Sequence, residues 1–189
     1  MSVDRPAAAA AIDAFLRALG RDPAREPELR GTGERVAAAY LDELCDGYSK
    51  DPVALVQAHR LASTSTDLVV LRDARVTTMC PHHLLPATGV ATVAFAPRGA
   101  LVGLGALVEL LDACAHRLVL QEEIGAVVAE ALVTALQPSW AGCRLVLEHG
   151  CVVHRAERRH GARIETFALR GTPSAEERAT AERALGLGT

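Results

Sequence analysis

A single lysine, Lys50, and no asparagine occur among 189 residues, a bias toward arginine and alanine that reads as genome composition and carries no function. Charge of one sign is missing too. Twenty basic residues against 23 acidic ones leave a net charge of -3, so no overall field draws the chain to nucleic acid or an anionic membrane. No apolar run approaches the roughly 18 to 20 residues that a membrane-spanning helix needs. The N-terminus shows no charged start followed by an apolar stretch and a cleavage site. The expectation is a cytoplasmic protein with no membrane and no nucleic-acid partner. The five cysteines (Cys45, Cys80, Cys114, Cys143, Cys151) do not make a disulfide framework, and an odd count cannot pair completely within one chain. Free thiols or metal ligands remain. With 50% apolar and 23% charged residues the chain is neither disordered nor collagen-like, and at this length it hides roughly 70% of its unfolded surface without staples.

Residues 1–60 read as an N-terminal helical segment. Ile12, Phe15, Leu16 and Leu19 recur at helical spacing from Ala7, and the run stops at Gly20. Thr32 is the expected cap of a second helix, with Val36, Tyr40, Leu41 and Leu44 on one face and Gly47 at its end. From Asp67 the period changes. Leu68 to Leu71 and Val76 lead into Cys80, and Val90 to Phe95 gives a second strand closed by Pro97-Arg98-Gly99. Leu104, Leu107, Val108 and Leu111 predict one helix, and Ile124, Val127, Val128, Ala131, Leu132 and Ala135 a longer one that ends before Pro138. Cys143 to Val153 alternates, with Leu145 and Leu147 on one face and Arg144, Val146 and Glu148 on the other, and Arg163 to Leu169 gives a fourth strand. Thr172 with Pro173 at the first helical position is expected to open a C-terminal helix to about Leu185. The result is an α+β chain, with an antiparallel ββααββ unit over 61–189 behind N-terminal helices.

Chemistry concentrates at two predicted strand ends. Cys80-Pro81-His82-His83 offers a thiol and imidazoles at a spacing that can reach one metal ion, although the same residues also suit a buried thiol beside two ordinary turn histidines. Glu148-His149-Gly150-Cys151, with His154-Arg155 beyond, repeats the Cys-plus-His offer at a second strand end. If the two ends are neighbours, the ligands converge. Zinc with three protein ligands and one open position lowers the pKa of a water from about 15.7 to about 7. Spare histidines are suited to moving protons near neutrality. Cys45 and Cys114 fall in helical stripes and Cys143 opens a strand, so all three read as packing.

Cys80-Pro-His82-His83, Gly103-Leu-Gly, Gln121-Glu122 and His149-Gly-Cys151-x-x-x-Arg155 stand in the order and at the spacings of the GTP cyclohydrolase I family, which the chain resembles from about Thr32 to Arg155. The resemblance implies the tunnelling fold (T-fold) and a homo-oligomer, a decamer of two stacked pentamers with active sites at subunit boundaries. It also implies that Cys80, His83 and Cys151 hold zinc and that His82 and His149 are the acid and base groups. Glu122, with Gln121 beside it, is implied to anchor the guanine edge of a small-molecule purine, and Arg155 to meet phosphate. The implied reaction protonates N7, adds water at C8, opens the five-membered ring and releases C8 as formate.

The sequence departs from the family where phosphate is held. A Ser-Lys pair and a following Arg are replaced by Gly105, Ala106 and Glu109, and an N-terminal lysine position is Ala38, leaving Arg155 and Arg35 as matching cations. Pro81 stands in place of an acidic residue, and Ala156 to Arg163 in place of a Thr/Ser-rich strand. The expectation is a zinc-dependent cyclic amidine hydrolase acting on GTP or a less phosphorylated guanine derivative. The alternatives are a non-catalytic paralogue that binds a purine or pterin and a structural zinc protein.

Overall fold

The computed structural model describes residues 3–155 and 160–187; residues 156–159 of the departure at Ala156 to Arg163 lie outside them. Two compact units divide between Asp46 and Gly47. The first is a helical pair. Asp4 accepts a hydrogen bond from the Ala7 amide and starts α1 (Arg5–Ala18), which ends before Gly20 in the left-handed region at φ 79°. Asp caps because its carboxylate satisfies one of the orphan amides of the first turn. α2 (Thr32–Ala39) packs on α1 and widens into a single π-turn at Tyr40–Leu44. Its cap is Gly31 at φ 72°, not Thr32, which is already helical. The expected apolar face of α1 is only partly covered: Ile12 and Leu16 are half-buried, whereas Phe15 and Leu19 are 59% and 61% exposed.

The second unit holds the sheet. α3 (Pro52–Ala58), capped by Asp51, packs against the helices that follow and was not visible as a separate element in the sequence pattern. Three-residue strands β1 (Arg60–Ala62) and β4 (Ala100–Val102), equally unforeseen, form a small antiparallel ladder. The main sheet is antiparallel throughout, in the order β2 (Val69–Met79), β3 (Pro86–Ala96), β5 (Trp140–His149), β6 (Ile164–Gly171). Between β3 and β5 the chain runs through β4, α4 (Leu104–Ala115) and α5 (Gln121–Leu136), giving the expected ββααββ order of the tunnelling fold. Among the described residues no helix is long and apolar enough to cross a membrane.

Alternation in β5 decides which face is core. Leu145 and Leu147 are fully buried, Arg144, Val146 and Glu148 only partly, and the buried set packs with Leu107, Leu110, Leu111, Ile124, Val128 and Leu132 of α4 and α5. On the other face Trp140 meets Ala181 and Leu185 of α7 (Ala175–Leu185). α7 starts later than expected: Ser174 and Glu177 form a reciprocal capping box, so Thr172 and Pro173 precede the helix.

Cys114 and Cys143 lie inside this core, and burial pushes both thiols up to about 12; Arg117 opposes the shift at Cys114, and Cys114 reinforces it at Cys143. Unfolded thiols ionise near 9.0. Folded and unfolded chains therefore bind the same thiol protons below about pH 9, and only the unfolded chain loses them between about pH 9 and 12. Denaturant titrations should show stability falling across that window, and a Cys114→Ala, Cys143→Ala variant should show a shallower fall. An unchanged slope in the variant contradicts the assignment.

Candidate active site

The hairpin between β2 and β3 is closed by its own backbone. The Cys80 amide donates to Leu85 O at 3.0 Å and the Leu84 amide to Cys80 O at 2.9 Å, with Leu84 in the left-handed region at φ 52°. A leucine there is strained, at a cost of order 1–3 kcal/mol, and persists only where the surrounding structure over-determines it. The tight loop folds His83 back until Nδ1 is 3.6 Å from Cys80 Sγ.

The second cluster arrives from β5. That strand stops at His149, and Gly150–Val153 form a helical turn, α6, where alternation predicted strand to Val153. The β3–β5 ladder pairs Ala87 with His149, so the end of β5 lies beside the start of β3. Gly150 is pressed against that start: a Cβ there would stand 2.9 Å from Pro86 O. Only glycine allows this approach without displacement. The turn carries Cys151 to the hairpin, and the ligating atoms of Cys80, His83 and Cys151 lie within 4.8 Å of one another. Burial, then the neighbouring Cys80 sulfur, hold the Cys151 thiol above its ordinary value, while Arg155 pulls it down.

These three side chains line a recess of about 290 Å³ together with His82, His149, Gln121 and Glu122. His82 is exposed, its ring edge-on to His83 with centroids 6.2 Å apart. Glu122 stands in the first turn of α5. Burial holds His149 below its ordinary value, and the Glu122 carboxylate partly offsets this. Gln121 is only 3% exposed, and its side chain turns inward. Its Nε2 donates to Leu145 O at 3.3 Å, Ile164 O at 3.0 Å and Thr166 Oγ1 at 3.2 Å, and its Oε1 lies 2.7 Å from His149 Nε2. Arg155 is exposed just beyond α6 and is not part of the recess wall.

Sequence reasoning missed Thr78, Ala87, Val119, Leu120 and Ile164, which with Pro81 also line the recess. Thr78 is 2% exposed with its hydroxyl unpartnered among the described residues. Its place on the cysteine's own strand, two residues before Cys80, was the available signal. Among the described residues lining the recess there is no arginine or lysine.

Of the positions that depart from the family, Pro81 lines the recess, whereas those tied to phosphate sit elsewhere. On α4, Gly105 and Glu109 are exposed and Ala106 is 5% exposed. Ala38 belongs to a recess of about 610 Å³ in the N-terminal unit, shared with Arg5, Asp13 and Glu34. That recess is larger, yet none of its described lining residues carries a thiol or an imidazole. Arg35, also in the first unit, donates to Arg30 O at 2.9 Å and Thr32 Oγ1 at 3.0 Å.

Two thiols and an imidazole gathered at one point are a donor set that suits a zinc-type ion. Fold and site together define a tunnelling-fold protein with a candidate Cys-His-Cys metal centre. Comparison with known proteins is more specific, since the GTP cyclohydrolase I family matches this chain over residues 8–186. The chain is 36% identical over 182 residues to GTP cyclohydrolase 1 of Synechococcus sp. (strain JA-3-3Ab), covering 96% of this chain and 78% of that one. It is 38% identical over 181 residues to GTP cyclohydrolase 1 of Halalkalibacterium halodurans, covering 95% of each. To GTP cyclohydrolase 1 of Coxiella burnetii (strain Dugway 5J108-111) it is 33% identical over 171 residues, covering 90% of this chain and 92% of the relative. The chain belongs to the GTP cyclohydrolase I family and is an enzyme, a hydrolase of that type.

Proposed function

We propose that this chain opens the imidazole ring of a guanine-type purine at C8 and releases that carbon as formate, at a zinc ion held by Cys80, His83 and Cys151. The observation that carries the reading is the convergence of those three ligating atoms within 4.8 Å in a recess also lined by His82, His149 and Glu122. When bound, zinc supplies Lewis-acid activation of water at neutral pH. The protein's own groups do the rest. Glu122 accepts from N1–H and the 2-amino group of guanine, a charge-assisted pair that fixes the ring's orientation. His82 and His149 flank the imidazole ring, one delivering a proton at N7 and the other accepting one as water adds at C8. The first water opens the ring to a formamide, and the second releases formate.

The residues on α4 argue for a substrate with few phosphates. Glu109 and Gly105 stand where the family resemblance places triphosphate contacts, and the described residues with which this chain lines the recess include no arginine or lysine. Each lost cation contact costs on the order of 1.5 to 3 kcal/mol as a charge-assisted hydrogen bond. Guanine, guanosine and GMP should therefore be favoured over GTP. Incubating zinc-loaded protein with each of the four, and following formate and pterin fluorescence, tests both parts. Preferred conversion of GTP overturns the substrate assignment, and absence of formate from every compound overturns the hydrolase assignment. A homo-oligomer of two stacked pentamers is part of the proposal. It is supported by the open edges of the main sheet at β2 and β6, with Phe167 of β6 51% exposed.

A further inference from the structure

Gln121 sits where a polar residue at a helix start is ordinarily solvated, yet it is among the few buried polar side chains described. A side-chain amide has one end that only accepts and one end that only donates. Around Gln121 the surroundings decide which end is which. Leu145 O and Ile164 O are carbonyls and can only accept, so the end facing them at 3.3 and 3.0 Å must be the NH2 group. Turning the amide over would set its oxygen against both carbonyl oxygens and forfeit both hydrogen bonds. The oxygen therefore faces His149 Nε2 at 2.7 Å. An amide oxygen cannot donate, so that ring nitrogen must carry the proton.

We infer that Gln121 is a positioning residue that locks His149 as the Nε2–H form, leaving Nδ1 as the nitrogen with a lone pair for proton transfer. The lock is anchored in the sheet. Nε2 of Gln121 bonds to β5 through Leu145 and to β6 through Ile164 and Thr166, so two strands set the amide and the amide sets the imidazole. The arrangement has the logic of any histidine whose second nitrogen is held by a fixed acceptor: the partner chooses the tautomer and the ring's angle. It separates Gln121 from its neighbour Glu122, whose carboxylate lines the recess and is suited to the substrate itself. The inference rests on the reading of His149 as a proton-transfer group.

Two measurements test it, one of them independent of turnover. A neutron structure of the deuterium-exchanged, zinc-loaded full chain should show deuterium on His149 Nε2 and the Gln121 ND2 group directed at Leu145 O and Ile164 O. A bare Nε2, or deuterium on both ring nitrogens, overturns the inference even if the enzyme is active, and deuterium on Nε2 alone upholds the tautomer assignment even if the proposed substrates are wrong. Kinetically, Gln121→Met keeps the length and loses the hydrogen bonds. With the substrate that wild-type protein converts, kcat should fall roughly 10-fold or more while KM stays within about 2-fold and zinc content is retained, the pattern of an interaction made in the transition state. A raised KM with unchanged kcat would instead make Gln121 a substrate contact, and an unchanged kcat and KM would remove it from the reaction; either overturns the inference.

Discussion

Cys151→Ala is expected to lower zinc from about one per chain to near zero after dialysis and to cut kcat/KM by at least roughly 10³-fold, because the bound ion brings the pKa of water from about 15.7 to about 7. Two remaining ligands, Cys80 and His83, come from one short loop and leave half of the ion's coordination to solvent. Fold and metal are separable here. Neither His83 nor Cys151 belongs to the two core clusters, which are built from β2, β3, β5 and the helices packed on them. Cys151 sits in the short α6 turn and is only partly buried, so truncation opens no core cavity. Circular dichroism melting of the metal-free variant should therefore resemble that of chelated wild type, with neither unfolded at room temperature. A structural zinc site predicts the opposite, that chelation unfolds the chain. Full zinc occupancy and turnover in Cys151→Ala would exclude the ligand set.

What the sequence made legible tracks which interactions are local. Cys80 and His83 are three apart, so a single turn brings them together, and their pairing could be read without knowing any strand order. Leu145 and Leu147 announced the core face of β5 because one face of that strand is buried and the other is not. The end of β5 misled for a physical reason: Cys151-Val152-Val153 continues a β-favouring run, and only Gly150 marks the break into α6. The start of α7 was readable in principle, since Ser174 and Glu177 have the spacing of a capping box, but Pro173 is an equally good first helical residue. β1 and β4 pair over three residues each, too short for any period to show. Gln121 is the instructive case. Its neighbours Leu145, Ile164 and Thr166 are 24 to 45 residues away, so nothing in the local sequence distinguishes a buried amide from a solvated one.

Substitution of His82 and His149 by alanine, singly and together, should separate proton transfer from metal binding. Each single change is expected to lower kcat by about 10²–10⁴-fold with zinc retained, the usual contribution of a positioned acid or base. The two should differ in their sensitivity to surroundings. His149 is half-buried, held at Nε2 by the Gln121 amide and placed at the end of a paired strand, so added imidazole should rescue His149→Ala poorly. His82 is exposed on the hairpin, so added imidazole can reach its position and restore part of the rate lost in His82→Ala. The double variant should lose less than the product of the two single losses, because groups that act together in one transition state are not additive. Loss of zinc in either single variant would make that histidine a ligand, whereas wild-type turnover in both would leave ring opening to the ion and Glu122 alone.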